Sequence, residues 1–244
     1  MTTLKIATYN IHKGFSSFNR RVVLHQMREQ LRALDADIVF LQEVQGEHKR
    51  HRQHHADYFS VPQHEFLADE YWAHHVYGMN AVYRHGHHGN AILSRFPIVR
   101  SRNRDVSAHR FEQRGLLHCE IDFNGQNLHC FCAHFGLFSK GRHWQMNALV
   151  GQVQADVAHD APLIIAGDFN DWRNQLSSNL AGSLNVRDVF HLGHGKPARS
   201  YPALLPLFKL DRIYVRGFEV EYSQVYGGRN QSDHAALLTR LRRG

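Results

Sequence analysis

The chain of 244 residues lacks long apolar runs. A membrane-spanning helix needs roughly 18 uninterrupted apolar residues, and no stretch reaches that length. The start, MTTLKIATYN, also lacks the basic segment followed by an apolar segment that marks a secretory signal. These absences argue against membrane-spanning helices and export, and they predict a soluble, cytoplasmic protein.

Cysteine is scarce, with only Cys119, Cys130 and Cys132 present. Cys130 and Cys132 are two residues apart, so on a strand they share one face, where a mutual disulfide is geometrically poor. An odd and sparse set excludes a disulfide framework. The three cysteines are therefore predicted to be core thiols in a reducing compartment.

Acidic residues are fewer than basic ones, with 22 Asp and Glu against 29 Lys and Arg, which gives a formal net charge of +7 at pH 7. The 21 histidines add positive charge as the pH falls below about 6.5. A basic balance favours anionic partners, including phosphate-bearing substrates, but it does not identify the ligand.

The chain also lacks low-complexity tracts, linkers and internal repeats, so residues 1–244 are predicted to form a single domain with a normal core from the 43% hydrophobic composition. Amphipathic spacing predicts helices over 20–34 and 142–157. Apolar runs and alternation predict strands over 4–10, 37–44, 80–83, 89–94, 97–100, 116–123, 128–135, 163–167, 211–215, 218–225 and 234–241. The order strand, helix, strand occurs twice, and two sheets stacked face to face with helices outside would accommodate these strands. Residues 46–78 are interpreted as a long surface excursion, and polar turns are predicted after residue 172.

Polar side chains recur where the predicted strands begin or end, and this set is the main finding in the sequence. Its members are Asn10, Glu43, His134, Asp168, Asn170, Asp211, Asp233 and His234. An unpaired carboxylate near a core costs several kcal/mol, so a compensating partner is expected. Mg²⁺ is a natural one, because it prefers oxygen ligands and is commonly held by one or two carboxylates together with substrate phosphate. Glu43 is the first choice of ligand, whereas zinc spacing of the structural type is absent.

These residues suit attack of water on a phosphodiester. Asp168 can accept the proton of the water, and Asn170 can hold that water or a phosphoryl oxygen. His234 can contact the phosphate as a cation if Asp211 raises its pKa. Each residue type also has a plainer interpretation as a turn, a cap or a solvated strand end. Their common position at strand mouths favours a ligand site, because α/β sheets bind ligands there.

The combination resembles the endonuclease/exonuclease/phosphatase superfamily, the DNase I-like metal-dependent phosphoesterases, and especially a short bacterial subgroup. The matching pieces run in the family's order from end to end: TYNIH (8–12), LQEV (41–44), GNAILSRFPI (89–98), AHFGL (133–137), Arg142 with Gln145, GDFN (167–170), LDRIYV (210–215) and SDHAAL (232–237). The resemblance implies an α/β fold, a four-layer α/β sandwich in which two mainly antiparallel sheets pack face to face with helices outside.

The resemblance also implies roles for single residues. Asp168 would orient or deprotonate the attacking water, and Asn170 would bind the phosphate region. Glu43 would ligate Mg²⁺ or Mn²⁺, with Asn10 and Asp233 helping to set the metal and phosphate. His234 with Asp211 would form a phosphate-contacting pair. The remaining predicted contacts to the substrate phosphate are His134, Arg142, His12 and Asn90.

One position departs from the pattern of the superfamily's abasic-site endonucleases, which carry an acidic residue two positions after the first asparagine. This chain has His12 there, either as a loop residue or as a phosphate contact. The departure weakens a repair-nuclease interpretation. The predicted activity is that of a divalent-metal-dependent phosphodiesterase or nuclease, acting as a monomer.

Two alternatives stay open. Hydrolysis of a phospholipid or another small phosphoester is suggested by the apolar residues Leu204, Leu205, Leu207 and Phe208, with Trp172 and Trp144 near the rim, although most of that stretch is predicted to be core. A non-catalytic module that binds anions is suggested by the His- and Arg-rich segment 48–55. Aromatic residues near that segment are limited to Tyr58 and Phe59, so it makes a poor stacking platform for bases.

Overall fold

The computed structural model describes residues 2–16, 21–48, 61–228 and 231–243, with residues 47 and 48 described by their backbone alone. In chain order the strands and helices are β1 (Thr2–Asn10), α1 (Leu24–Leu34), β2 (Ile38–His48), α2 (Gln63–Ala68), β3 (His74–Tyr83), β4 (Gly86–Ser94), β5 (Ile98–Asp105), β6 (Gly115–Phe123), β7 (Gln126–His134), α3 (Ser139–Asp156), β8 (Leu163–Asp168), α4 (Ser177–Leu184), β9 (Arg187–Asp188), α5 (Val189–His194), β10 (Asp211–Arg216), β11 (Glu219–Tyr226) and β12 (Ala236–Arg243). A single 3₁₀ turn, His12–Gly14, follows β1.

These strands form two six-stranded sheets. The first has the order β11-β12-β1-β2-β4-β3, and the second has the order β5-β6-β7-β8-β10-β9. Each sheet contains one parallel pair, β1 with β2 and β7 with β8. The other described pairings are antiparallel. The predicted pair of mainly antiparallel sheets is confirmed.

The layers follow from the two-residue alternation of the strands, which sends neighbouring side chains to opposite faces of a sheet. Inward residues such as Ile6, Phe40, Cys130 and Ile164 form the core between the two sheets. The outer face of the first sheet packs against α1 and α2, and that of the second packs against α3 and α4. The four-layer sandwich is therefore confirmed.

The first outer layer shows how the sequence pattern produces a packed helix. Val23, Met27, Leu31 and Leu34 are all buried, as the helical spacing predicts. The helix begins at Leu24 rather than near residue 20, and it ends where Asp35 takes a left-handed backbone conformation with φ of 52°. Residues 17–20 lie outside the described residues.

The predicted surface excursion over 46–78 is wrong for much of its length. β2 continues to His48, α2 spans Gln63–Ala68, and β3 begins at His74. Trp72 is fully buried, and its indole Nε1 donates a hydrogen bond of 2.9 Å to the Ala36 carbonyl. The basic segment 48–55, apart from the backbone of His48, lies outside the described residues.

The region after residue 172 also contains more structure than polar turns. It includes α4, β9 and α5 before β10.

A second correction concerns Leu204, Leu205, Leu207 and Phe208, which were expected to be mostly core. Their exposed fractions are 64%, 67%, 52% and 43%, so they form an apolar surface instead. Within the described residues, no helix has the length and apolar character to cross a membrane.

Candidate active site

One edge of the sandwich collects the polar strand-end residues. The parallel pairs β1/β2 and β7/β8 both finish there, and the antiparallel strands β10 and β12 begin there. Asp211 at the start of β10 lies opposite Asp168 at the end of β8, and His134 lies beside Asp168 on the other side. The sheet topology alone therefore brings residues from distant parts of the chain together.

Asp168 is the centre of this arrangement, and its carboxylate is 98% removed from solvent. Three side chains approach the same oxygen, Oδ2: Asn10 Nδ2 donates to it at 3.1 Å, and the Nε2 atoms of His134 and His234 lie at 3.6 and 3.9 Å. The other oxygen, Oδ1, accepts the backbone N–H of Asn170 at 2.9 Å. One oxygen thus fixes the orientation of the carboxylate, while the other faces the cluster.

The backbone around Asp168 is held in an unusual conformation. Gly167 has φ of 145°, and a Cβ at that position would lie 1.9 Å from the Ala133 carbonyl oxygen on β7. Only glycine tolerates this approach. Asn170 has φ of 49°, and its Nδ2 donates to the Phe135 carbonyl at 2.9 Å. The GDFN segment therefore works as a rigid turn that aims Asp168, so the turn interpretation and the site interpretation both hold.

Asn10 connects Asp168 to Glu43. The amide Nδ2 of Asn10 lies 3.4 Å from Glu43 Oε1, and its Oδ1 accepts the backbone N–H of His12 at 3.0 Å. Glu43 sits at an irregularity in the pairing of β2 with β4 and has φ of 55°. This bulge turns the Glu43 side chain toward the site, as bulges beside active sites often do.

The charge of Glu43 is balanced by a lysine. Lys13 Nζ lies 3.2 Å from Glu43 Oε2. Burial raises the pKa of Glu43, but opposing interactions, the ion pair with Lys13 among them, outweigh burial and hold the pKa below its usual range. Glu43 is therefore an ionised carboxylate with a cation beside it.

His234 and Asp211 form a buried pair. His234 Nδ1 lies 2.9 Å from Asp211 Oδ2, and the hydroxyl of Ser200 donates a short hydrogen bond to the same oxygen. Burial lowers the pKa of His234, but Asp211, followed by Asp168 and Asp233, raises it to about 10. His234 is thus a cation at neutral pH, as the sequence analysis required for its phosphate contact.

The second histidine has the opposite electrostatic environment. Burial, assisted by the positive charge of Arg114, holds the pKa of His134 well below its usual range. Burial and the negative charge of Asp211 raise the pKa of Asp168 to about 6, despite the opposing effect of His234. The site thus combines a neutral imidazole, an imidazolium and a carboxyl group that titrates near neutral pH.

Asp233 and His12 lie at the mouth of the site. His12 Nδ1 is 3.5 Å from Asp233 Oδ1. The hydroxyl of Ser232 donates to the Asn10 carbonyl at 2.6 Å, and the backbone N–H of Ser232 donates to the Tyr9 hydroxyl at 3.2 Å. These bonds tie the segment that carries Asp233 to the end of β1.

Arg142 and Asn90 are bonded to backbone rather than to this cluster. The buried guanidinium of Arg142 donates to the Leu137 carbonyl at 2.6 Å. Asn90 Nδ2 donates to the carbonyls of Gly115 and Cys132 at 3.0 and 3.3 Å, which connects the first sheet to the second. Both contacts are structural, and a phosphate contact for either residue stays a prediction.

Sequence reasoning missed Lys13, Ser200 and Ser232. Each supports a predicted residue: Lys13 pairs with Glu43, Ser200 with Asp211, and Ser232 with Asn10. Lys13 directly follows the TYNIH piece, and Ser232 is the first residue of the SDHAAL piece. Their position beside predicted site residues was therefore a usable signal. Ser200 lies in an irregular segment with no such signal.

The donor set fits a hard divalent cation. Glu43 offers a carboxylate that stays ionised, and the neighbouring Asn10 side chain carries an amide oxygen, which here accepts the backbone N–H of His12. Asp168, Asp211 and His234 form a second group close enough to share an ion, with ligand atoms within 4.8 Å of one another. Protonated His234 has no lone pair to give to a metal ion. The negative charge of Asp168 and Asp211 is instead balanced by the positive charge of His234. The residues around Glu43 are the better fit.

The comparison with known families agrees with this geometry. The model of the "Endonuclease/Exonuclease/phosphatase family" matches residues 7–234. The chain therefore belongs to the endonuclease/exonuclease/phosphatase family, whose members are phosphoester hydrolases. A relative in Escherichia coli, "Uncharacterized protein YbhP", is 42% identical over 244 residues, covering 98% of this chain and 96% of that protein.

Solved structures share the fold at low sequence identity. An endonuclease/exonuclease/phosphatase from Beutenbergia cavernae superimposes with a TM-score of 0.83 at 19% identity, covering 100% of this chain and 72% of that one. D. rerio TDP2 complexed with a single-strand DNA product gives a TM-score of 0.74 at 19% identity, covering 99% and 100%. At this identity the likeness shows the fold alone.

Proposed function

We propose that this protein is a divalent-metal-dependent phosphodiesterase in which an activated water attacks phosphorus. The observation that carries the proposal is the convergence of Asn10, His134 and His234 on one oxygen of Asp168, 3.1–3.9 Å away. A carboxylate oxygen among an amide, a neutral imidazole and an imidazolium is suited to accept a proton while a charged phosphoryl group is held nearby.

Asp168 acts as the general base. Its pKa of about 6 places it close to the operating pH, where it is mostly ionised yet basic enough to take a proton from water. Asn170 keeps it oriented, because the backbone N–H of Asn170 binds Oδ1 and leaves Oδ2 for the water.

The two histidines take different roles because their protonation states differ. His234 is the cation that contacts a phosphoryl oxygen, and Asp211 with Ser200 fixes its ring and its charge. His134 is neutral and contacts a second phosphoryl oxygen as a hydrogen-bond donor. Catalytic sites often hold neighbouring titratable groups in environments that shift their pKa values in opposite directions, so that one group is charged and the other neutral.

Glu43 and Asn10, with Asp233 at the mouth of the site, would hold Mg²⁺ or Mn²⁺. Such an ion, when bound, neutralises negative charge on the phosphoryl group and stabilises the departing oxygen. Lys13 beside Glu43 already marks the position as one that favours a cation.

The substrate class we favour is a nucleic acid phosphodiester. A line of rings extends from the site to the surface: Tyr201 lies 5.0 Å from His234, Phe208 lies 6.4 Å from Tyr201, and Trp172 lies 6.3 Å from Phe208. Exposed aromatic rings beside a phosphate site suit the stacking of bases. The net charge of +7 and the shared fold of TDP2 with its DNA product add support.

A second candidate, hydrolysis of a phospholipid or another small phosphoester, is favoured by the aliphatic part of the same surface. Leu204, Leu205 and Leu207 are more than half exposed next to Phe208. Stacking of bases uses aromatic rings and does not require the three exposed leucines. Lipid acyl chains would cover these leucines and remove them from water.

The roles are tested with bis(p-nitrophenyl) phosphate in Mg²⁺, Mn²⁺ and EDTA. Asp168→Asn and His234→Ala should each lower kcat by several orders of magnitude with the far-ultraviolet circular dichroism unchanged. Asp160→Asn and His143→Ala, at exposed positions, are the matched controls and should retain parental activity. Near-parental turnover in either site variant would show that the roles are wrong.

Substrate class is tested with a panel of DNA, RNA and phospholipid vesicles. Cleavage of DNA or RNA that falls when Phe208→Ala and Trp172→Ala are combined supports the nucleic acid proposal. Cleavage of phospholipid with none of nucleic acid removes it and supports the second candidate. Binding of an anionic polymer without any metal-dependent turnover supports the non-catalytic module.

Three other statements stay predictions: a single domain over 1–244, a monomeric state and a cytoplasmic location. The first is supported by the pairing of β1 with β12, which joins the two ends of the described chain in one sheet. Size-exclusion chromatography with light scattering tests the second.

A further inference from the structure

A second cluster of ligand-type side chains lies on the second sheet, away from the proposed active site. His118 and Glu120 are two residues apart on β6, and His129 lies directly opposite Glu120 on β7. Leu117, Cys119 and Ile121 between and beside them point into the core, so the cluster occupies the outer face of the sheet. His129 is five residues before His134, which is roughly 17 Å along the strand.

The two histidine rings face each other at a ligand-like distance. His118 Nε2 and His129 Nδ1 share a hydrogen bond of 3.1 Å, and a Glu120 oxygen lies within 4.8 Å of both nitrogens. A tetrahedral zinc ion with bonds of about 2.0–2.1 Å separates its ligand nitrogens by roughly 3.3 Å. The positions of these nitrogens therefore suit a shared metal ion with little movement of the strands.

Packing holds these rings in place. His118 stacks on Phe131 with ring centroids 4.1 Å apart and planes 5° from parallel. The exposed fractions of His118 and His129 are only 5% and 7%. The hydrogen bond between the rings places one N–H and one lone pair between them, and a metal ion bound there displaces that proton. Rigidly held imidazoles are good metal ligands.

The surroundings supply access. A cavity of about 300 Å³ reaches His118 and Glu120, and charges of both signs line it, from Arg100 and Arg102 and from Asp156. Asp156, the last residue of α3, lines the same cavity as His118 and Glu120. The C-terminus of an α-helix also favours a cation.

The remaining partners of Glu120 do not block this arrangement. Asn127 Nδ2 donates to Glu120 Oε2 at 2.9 Å, which orients the carboxylate from the outside. Arg100 lies 3.4 Å from Oε1, but its side chain is 76% exposed, so that ion pair is weak and easily displaced.

From this geometry we infer that His118, His129 and Glu120 bind a zinc ion, each through one ligand atom, at the wall of this cavity. Two imidazoles and a carboxylate select Zn²⁺ over Mg²⁺, which prefers oxygen ligands alone. The site is thus chemically distinct from the one around Glu43. It connects β6 and β7, so occupancy stabilises this part of the second sheet.

The test measures zinc binding and thermal unfolding of the full chain in the background Glu43→Gln, which weakens the proposed active-site metal. Zinc affinity is measured by competition with a chromophoric chelator, and coordination by the visible absorption of the Co²⁺ form. His129→Gln should abolish the tight site and its tetrahedral Co²⁺ spectrum. Glu120→Gln should weaken zinc binding by about 10–100-fold, comparable to the loss of an important supporting group at a metal site.

His143→Ala is the matched control, since His143 lies exposed on α3 and should leave the site intact. Zinc should raise the melting temperature of the control but not of His129→Gln. If His129→Gln fails to fold, Glu120→Gln and the Co²⁺ spectrum of the parent decide, because a carboxylate-to-amide change keeps the shape of the side chain. Unchanged zinc affinity and stoichiometry in Glu120→Gln, or no tetrahedral Co²⁺ spectrum in the parent, would overturn the inference.

Discussion

Asp211→Asn in the metal-free protein probes the electrostatics of the site without reference to turnover. The amide keeps the shape of the carboxylate and its bond with Ser200, but it removes the negative charge that faces His234. Asp211 is the largest of the influences that raise the pKa of His234. The variant should therefore lose most of the stabilisation that the folded state gains from the protonated His234 ring.

The magnitude follows from the pKa of His234, which rises from 6.5 to about 10 on folding. A raised pKa stabilises the folded state fully below pH 6.5, and the stabilisation is lost as the pH rises toward 10. At about 1.4 kcal/mol per pH unit, the protonated ring contributes roughly 4 kcal/mol at pH 7 and roughly 1 kcal/mol at pH 9.5. Asp168 and Asp233 still attract the proton in the variant, so we expect a loss of about 3 kcal/mol at pH 7.

Urea unfolding in EDTA at pH 7 and pH 9.5 measures the effect. The difference in unfolding free energy between parent and Asp211→Asn should shrink to about 1 kcal/mol or less at pH 9.5. Ser200→Ala is the control, because it removes a hydroxyl donor to the same oxygen but no charge. Its cost should depend little on pH. Equal losses for Asp211→Asn at both pH values would refute a protonated His234.

Three further predictions concern the metal, the backbone and acid stability. Glu43→Gln should raise the Mg²⁺ concentration for half-maximal activity by about 10-fold or more, measured by titration of turnover, and an unchanged midpoint would remove Glu43 as a ligand. Gly167→Ala should cost about 3 kcal/mol or more in urea unfolding, because its Cβ meets the Ala133 carbonyl, whereas Gly151→Ala on open helix surface should stabilise by up to about 1 kcal/mol. Burial lowers the pKa of His64 to about 4, so the unfolded chain takes up the proton first, and His64 should cost about 2 kcal/mol of stability between pH 7 and pH 5. His64→Phe should flatten that dependence, and an equally steep loss in the variant would show that other groups cause it.

The convergence of the candidate site residues could be predicted because they sit at strand ends. Asn10, Asp168 and Asp211 each adjoin a run of apolar residues whose strand character is plain in the sequence. Once the strands pair in the family's order, their mouths meet at one edge, whatever the loops do. Residue types and their position along the chain were therefore enough to gather the cluster, although they could not give distances or protonation states.

The opposite protonation of the two histidines could not be predicted in the same way. His134 and His234 both lie against Asp168, and Asp233 precedes His234 in the chain, but neither the distance from His234 to Asp211 nor the burial of His134 can be read from the sequence. The difference comes from Asp211 on one side and Arg114 on the other, and both are brought in by tertiary packing. Ser200 was missed for a related reason, because a hydrogen bond from an irregular segment leaves no periodic signal in the sequence.

The errors in the fold have two physical causes. The helices α2 and α5 have six residues each and α4 has eight, too few for a helical period to emerge from the sequence. The prediction for the segment around Leu204 is wrong for a different reason. Its apolar character is real, but burial requires an element to pack on it, and the prolines at 202 and 206 keep it an irregular surface loop. Apolar composition predicts burial only where another element packs on the segment, and without one these side chains form an exposed apolar surface.

The charge balance of the site gives an argument for a divalent cation that does not depend on the family. Lys13 compensates Glu43, and His234 compensates Asp211, but Asp168 keeps a raised pKa because burial and Asp211 oppose its charge. A bound phosphodiester adds negative charge beside Asp168 and raises that pKa further, which protonates the proposed base. Under the proposed mechanism, a divalent cation near Glu43 would offset this rise and allow Asp168 to accept a proton at neutral pH. Turnover of bis(p-nitrophenyl) phosphate should fall to background in EDTA and return with Mg²⁺ or Mn²⁺, and full activity in EDTA would contradict this balance.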